Sequence, residues 1–276
     1  MMSKVIKVSS SGYYKWKNNK EVIVNKHREL DKNIKQIFDR SSGTYGSPRI
    51  TVELANCGTN VSKNTVARRM QVLDLTARPK KKFIITTDSE HDFKVPDNLL
   101  DRNFEVHTPT KAWISDITYI RVANYWMYLT VIIDLADRMV VGWSLSRSMT
   151  AINTIIAAFN MAATNRRLSK SDQLLFHSDR GVQFACNDFT KLLRKYNCTQ
   201  SMSRKGNCWD NAVAESFFKT IKVECLNKYI FVNHDMLKKI LFRYIEGWYN
   251  TQRIHSAIGN VSPLNAFKEK SLCLAA

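Results

Sequence analysis

Between Ala112 and Leu145 the chain holds three consecutive runs rich in Ile, Val, Tyr, Trp and Thr: Ala112–Val122, Tyr125–Leu135 and Arg138–Leu145. Only Ala123-Asn124 and Ala136-Asp137 separate them. Connections that short leave no room for a crossover, so the runs must form an antiparallel meander. Beyond Leu145 the pattern changes. Helical periodicity over about 150–164 is followed by the run Leu174–His177, a helix over about 187–196, the run Thr199–Ser201 and a long helix over about 210–226. Strands joined through helices return parallel. The sequence thus predicts an α/β domain over 109–228, a mixed five-stranded sheet with flanking helices. A basic amphipathic segment, 233–250, and a tail containing Ser262-Pro263 come next, so 229–276 is expected as a helical C-terminal tail.

The N-terminal part reads as all-α. Val24, Leu30, Ile34, Ile37 and Phe38 recur at helical spacing over 21–40, and Gly43-Thr-Tyr-Gly46 then breaks the pattern. Pro48 suits the first turn of a second helix, about 48–56, and Ser62 can cap a third, about 63–74. On the third helix Val66, Met70 and Leu73 form an apolar stripe, while Asn64, Arg68 and Gln71 share another face flanked by Lys63 and Arg69. A helix, a tight turn and a helix with an amide- and arginine-bearing outer face is the pattern of a helix-turn-helix that contacts DNA. A small bundle with a solvated basic face has the same pattern. Residues 1–85, which include the basic run Arg78–Lys82, are therefore expected as a small helical domain, and 86–108 as a linker.

Charge narrows the partners. Lys and Arg outnumber Asp and Glu 42 to 24, a net +18, and no basic amphipathic helix of membrane-surface type stands out, which favours a polyanion. The most apolar stretch, Tyr125–Ala136, is too short to cross a bilayer and contains Asp134. The polar, basic N-terminus lacks a signal-peptide pattern, so a cytoplasmic protein without membrane attachment is expected. The six cysteines show no zinc-ligand spacing and read as reduced, mostly buried thiols.

Against that basic background three acids sit in distinctive surroundings: Trp113-Ile-Ser-Asp116-Ile-Thr-Tyr119, His177-Ser-Asp179-Arg-Gly181 and Asn211-Ala-Val-Ala-Glu215. Asp179 and Glu215 have 35 residues between them, positions 180–214. Asp116 falls inside the first strand and Asp179 just past the fourth. If these strands are parallel neighbours their carboxylates meet, and the helix of Glu215 must cross the same edge. Three carboxylates from separate elements suit hard divalent cations that leave positions open for phosphate. Lys219 and Lys222 lie at i+4 and i+7 from Glu215 and suit DNA phosphates, although an exposed i,i+4 ion pair worth ~0.2–0.5 kcal/mol is the plainer use. Asn211 is a candidate for a ligand carboxylate or a DNA end. Arg204 and Lys205, on a loop that Gly206 can loosen, are candidate DNA contacts. Asp134 and Asp137 read as structural, Cys208 and Trp209 as packing residues, and His177 as a packed histidine.

At these motifs the chain resembles the DDE transposases of bacterial insertion sequences, within the wider retroviral integrase superfamily, and more narrowly the second-reading-frame (OrfB) product of the "IS three" family. The resemblance extends to Val8-Ser-Ser-Ser-Gly-Tyr-Tyr14, Tyr45-Gly-Ser-Pro-Arg-Ile50, Asp210-Asn-Ala212, and Tyr249-Asn250 with Arg253-Ile-His-Ser256. It implies an RNase H-like catalytic core, two Mg²⁺ (or Mn²⁺) ions held by Asp116, Asp179 and Glu215, and DNA-end contacts by Lys219 and Lys222. It further implies metal-dependent strand cleavage and transfer at element ends on double-stranded DNA, a homo-oligomer on DNA at the nucleoid, and a first-frame (OrfA) partner of the kind often joined to this frame by ribosomal frameshifting. Ser47-Pro48 departs from the family, where an aromatic and a second arginine are frequent. The zinc module of retroviral integrases has no counterpart here. Two other readings are a regulator that only binds DNA, which the intact acids oppose, and a plain nuclease or RNase H, which the basic helices and lysine face oppose.

Overall fold

The computed structural model describes residues 9–77 and 95–275, in two compact units, Met1–Pro79 and Lys80–Ala276. The basic run Arg78–Lys82 and the linker from Thr86 to Lys94 lie outside the described residues. Among the described residues no helix is long and apolar enough to cross a membrane.

In the first unit α1 spans Ser10–Arg40, α2 Ser47–Asn56 and α3 Lys63–Val72. The first helix starts earlier than periodicity suggests. The Ser9 hydroxyl accepts from the Gly12 N–H at 3.3 Å, and a helix once nucleated propagates through residues that carry no apolar stripe. Ser62 caps α3 as expected, accepting from Thr65 N at 3.1 Å. Leu30, Ile34 and Ile37 of α1 are buried, as are Tyr45, Ile50, Leu54, Val66 and Met70. Arg69 does not flank a free face: its Nε donates to Asp31 of α1 at 2.7 Å. Asn64, Arg68 and Gln71 are all exposed.

The second unit is built on a five-stranded sheet in the order β3-β2-β1-β4-β5. The strands are β1 Ala112–Val122, β2 Tyr125–Asp134, β3 Val140–Ser146, β4 Leu175–Ser178 and β5 Thr199–Met202. The first three pair antiparallel, while β4 lies parallel to both β1 and β5. Helices cover both faces. On one face α4, whose first turn Ile152–Ile156 is π-wound and which continues as Ala157–Asn165, packs with α6 (Asn187–Lys195); α5 is the short turn Val182–Ala185. Their core includes Trp113, Ile132, Phe159, Phe176 and Phe189. On the other face α7 (Ala212–Glu224) and α8 (His234–Phe242, continuing π-wound through Arg243–Tyr249) share a core with Ile114, Ile120, Leu129 and Val131. The final helix, α9, is Pro263–Ala275.

The segment expected as a tail is thus part of that second core. Phe231, Leu237, Leu241, Tyr244, Ile245 and Tyr249 are buried in it. Two polar ties fasten it. Both Glu224 oxygens accept from Arg253, at 2.9 to 3.1 Å, and Tyr244 Oη donates to Glu224 at 2.8 Å. The Asn250 amide exchanges two hydrogen bonds with the Val140 backbone, each 3.0 Å. The cysteines are less buried than expected: Cys57 and Cys273 are exposed, Cys186 and Cys198 half-buried, and Cys225 buried.

Gly142 on β3 sets how closely α4 approaches. A Cβ there would lie 2.2 Å from the Ala158 carbonyl oxygen and 2.8 Å from Ala162 N, so backbone, not a flexible side chain, stands in its way. Gly142→Ala should destabilise this unit by about 3 kcal/mol or more, at or above the top of the usual overpacking range. Denaturant titration checks this: an unchanged midpoint would show that α4 can retreat from the sheet without cost.

Candidate active site

Side chains alternate along a strand, and β1 places Ile114, Asp116, Ile120 and Val122 toward α7 while Trp113 and Ile117 face the other way. The parallel pairing of β1 with β4 ends at Ser115↔Ser178. Asp116 is the next residue of β1 and Asp179 the first residue past β4, so the two carboxylates emerge side by side where the strands part. Neighbouring strands lie about 4.8 Å apart. Glu215 comes from the first turn of α7, which packs on the face that Asp116 joins.

The electrostatics follow from that placement. Burial, the neighbouring Asp179 and then Glu215 push the Asp116 carboxyl well above the ordinary range, against the Ile117 N–H and the Lys222 ammonium. The Ile117 N–H donates to Asp116 Oδ1 at 2.8 Å, and Gly181 N–H to Asp179 Oδ1 at 3.0 Å. Lys219, half exposed, stands 3.6 Å from Glu215. Lys222 is half-buried; burial lowers its ammonium below the usual value and Asp116 partly restores it. Among the described residues no group of three or more His, Cys, Asp or Glu side chains is gathered tightly enough to hold one ion. The three acids act on one another electrostatically without forming a closed cage.

The turn ahead of α7 differs from expectation at three residues. Asn211, a candidate for DNA or a ligand carboxylate, is buried and donates to the Ser115 carbonyl at 3.2 Å. It ties α7 to β1 one residue before Asp116. Its Oδ1 is buried without a hydrogen-bond partner. Arg204, a candidate DNA contact, gives its guanidinium to Asp210 at 2.8 and 2.9 Å and also pairs with Asp101 at 3.2 Å. Trp209, expected to pack, is 69% exposed. Lys205 remains exposed, and Gly206 adopts a positive φ of 71° with open space around it. Hydrogen bonds from Arg204, and then Arg102, hold the fully buried Asp210 carboxyl well below the usual range. Asp210 enters the sequence reading only as part of a family motif and Arg102 not at all, because their partnership spans 108 positions and leaves no local signal.

Other acids and the histidine are occupied by the fold. Asp134 is fully buried, accepting from Thr110 N at 2.8 Å, Ala136 N at 3.0 Å and Trp113 Nε1 at 3.1 Å. Asp137 bonds Arg166 at 2.6 Å; burial and Asp134 nevertheless push it up to about 6. His177 is buried between Ser201 (2.9 Å) and Ser203 (3.2 Å), and burial lowers it to about 4. It stays neutral at physiological pH.

Two models of an integrase core domain match residues 106–208 and 196–263, and a model of an HTH-like domain matches 25–83. The transposase InsF of insertion sequence IS3A from Escherichia coli K12 is 37% identical over 274 residues, covering 98% of this chain and 94% of the relative. A 31 kDa protein of insertion element IS600 from Shigella sonnei is 39% identical over 276 residues, covering all of both. Among solved structures, the catalytic core of HTLV-2 integrase in complex with magnesium is 21% identical, with a TM-score of 0.44 over 58% of this chain and 97% of that one.

The mutual repulsion of the acids has a consequence for stability. Without divalent cations, a half-buried carboxylate beside two others opposes folding. Asp116→Asn keeps an acceptor for Ile117 N–H and removes that repulsion, so its melting temperature in chelator should exceed that of the parent chain. A lower value would mean that Asp116 is held by compensating contacts, not strained by its neighbours.

Proposed function

The chain belongs to the transposases of the IS3 family of insertion sequences, and we propose that it cuts and joins DNA strands at element ends through Asp116, Asp179 and Glu215. The observation that carries the reading is the in-register exit of Asp116 and Asp179 from neighbouring parallel strands beneath the helix of Glu215. The donor set suits divalent metal: all are carboxylate oxygens, and their mutual repulsion, which raises Asp116, is what a bound cation would relieve. An open arrangement also fits ions that complete their coordination with phosphate oxygens and water. In this reading Asp116, Asp179 and Glu215 together would hold two divalent ions, Mg²⁺ or Mn²⁺. Bound there, the cations would activate the attacking oxygen and stabilise the leaving one.

The rest of the chain positions DNA. Lys219 is an exposed cation 3.6 Å from Glu215, Lys222 is half-buried near Asp116, and Lys205 is exposed on the loop ahead of α7. Each suits a backbone phosphate. Asn64, Arg68 and Gln71 form the exposed face of α3, which suits base edges in a major groove. A homo-oligomer on DNA and a first-frame partner belong to the same reading.

A labelled duplex carrying the inverted repeats that flank the coding region, incubated with Mg²⁺, tests the proposal. Strand joining is expected; cut-only products would indicate a nuclease, and a shifted band alone a DNA-binding regulator. Asp116→Asn, Asp179→Asn and Glu215→Gln should each abolish joining while leaving the band shift intact. Near-parental turnover by any one variant removes that residue from the site.

The lysines make a separate prediction. Replacing Lys219 and Lys222 by Ala should flatten the salt dependence of DNA binding by about 0.9 in log-log slope for each phosphate no longer neutralised. A parental slope would assign Lys219 to its ion pair with Glu215 alone and Lys222 to packing near Asp116.

A further inference from the structure

Trp209 stands out on this molecule because its exposure is combined with a rigid mounting. It belongs to the turn Cys208–Asn211 that leads into α7. The next residue, Asp210, is fully buried and accepts from Arg204 N (3.0 Å), Nε (2.9 Å) and Nη2 (2.8 Å), and from Arg102 Nε (2.8 Å). Asn211 is buried and bonded to Ser115. The turn is therefore fastened at two consecutive residues, and the indole before them is left 69% in water. Indoles bury large areas when the fold lets them, so a fixed turn that holds one outward presents a flat apolar face.

Its surroundings point to the ligand. Trp209 lies six positions before Glu215 along the chain, roughly 10 Å at the rise of one 3₁₀ turn and one α-turn. Asn211, two residues on, is tied to the residue before Asp116. Lys205 is exposed on the same loop, and Gly206 has open space around it. A flat aromatic face on the loop that carries the exposed Lys205, within about one nucleotide's reach of carboxylates suited to phosphate, matches a nucleobase attached to a phosphate. Inside a duplex both faces of each base are covered by neighbours. The indole can therefore stack only on an end or an unpaired base.

We propose that Trp209 forms a stacking site for an unpaired nucleobase next to the phosphate at the carboxylates, so that the DNA end is held frayed there. The inference rests on the reading of Asp116, Asp179 and Glu215 as acting on DNA. Fraying opens the strand and lets a single phosphate settle between the acids without its partner strand.

Binding in Ca²⁺, read by anisotropy, tests this without strand cleavage. The probes are a blunt 20-base-pair duplex and the same duplex with its last three pairs mismatched and 2-aminopurine in the unpaired arm. The parent chain should bind the forked probe about tenfold more tightly than the blunt one, within the range for one stacked base, and quench the 2-aminopurine. Trp209→Ala should bring the two affinities together and abolish quenching, with blunt-duplex affinity and melting temperature unchanged. Trp209→Phe should keep most of the preference. A parental ratio and parental quenching in Trp209→Ala would overturn the proposal. If the parent chain shows the forked preference but never joins strands in Mg²⁺, the catalytic reading fails and the stacking site stands. Normal joining without a Trp209-dependent preference has the opposite meaning.

Discussion

The parallel pairing of β1 with β4 is the constraint on which the site depends. An antiparallel pair would carry the residues after Ser115 and Ser178 in opposite directions; the parallel pair carries Asp116 and Asp179 out together. Parallel pairing in turn requires a crossover between β3 and β4, which α4 supplies, and buries the central strands on both faces. The cores built around Trp113 on one side and Ile114 on the other are the outcome. A slip of one residue in β1 would send Asp116 to the α4 face and away from Glu215.

Charge burial separates acids that build the fold from acids that await something. Asp134 and Asp137 sit against Arg166, Asp210 against Arg204 and Arg102, and Glu224 against Arg253. Each couples segments that the sheet and helices bring together. At Asp116 the balance reverses: two carboxylates act on it against one half-buried lysine. A folded chain tolerates such a group where function supplies the missing cation, a correlation between perturbed carboxylates and working sites that holds widely.

Much of this is legible in the sequence. Two-residue turns dictate the meander and alternation assigns its faces, both local properties, whereas Asp116 and Asp179 come together only once β1 and β4 are assumed to be parallel neighbours. The α3 face of Asn64, Arg68 and Gln71 comes from helical spacing in the same way. What stays hidden depends on distant partners. Arg204 looks like a DNA contact until Asp210 and Asp101 are found beside it, and Asn211 faces Ser115 across 96 positions. Trp209 reads as a packing residue because an apolar side chain is assumed to be covered, and nothing local says that the residue beside it turns inward instead. The start of α1 escapes for another reason: residues 10–20 show no apolar period to mark a helix.

The clasp between Glu224 and Arg253 bears on the order in which a growing chain matures. The helix bearing Glu215 ends in a carboxylate whose guanidinium partner is made 29 residues later, and the apolar cover over that helix includes Leu237, Leu241 and Ile245. During synthesis the first four strands can pair while α7 still lacks both its cover and its counter-ion. The carboxylate corner is therefore finished only once Arg253 has been made, long after the helical unit of α1 to α3 has had time to form. In the function proposed above, a nascent chain would carry helices suited to DNA before it has a completed site with which to cut it.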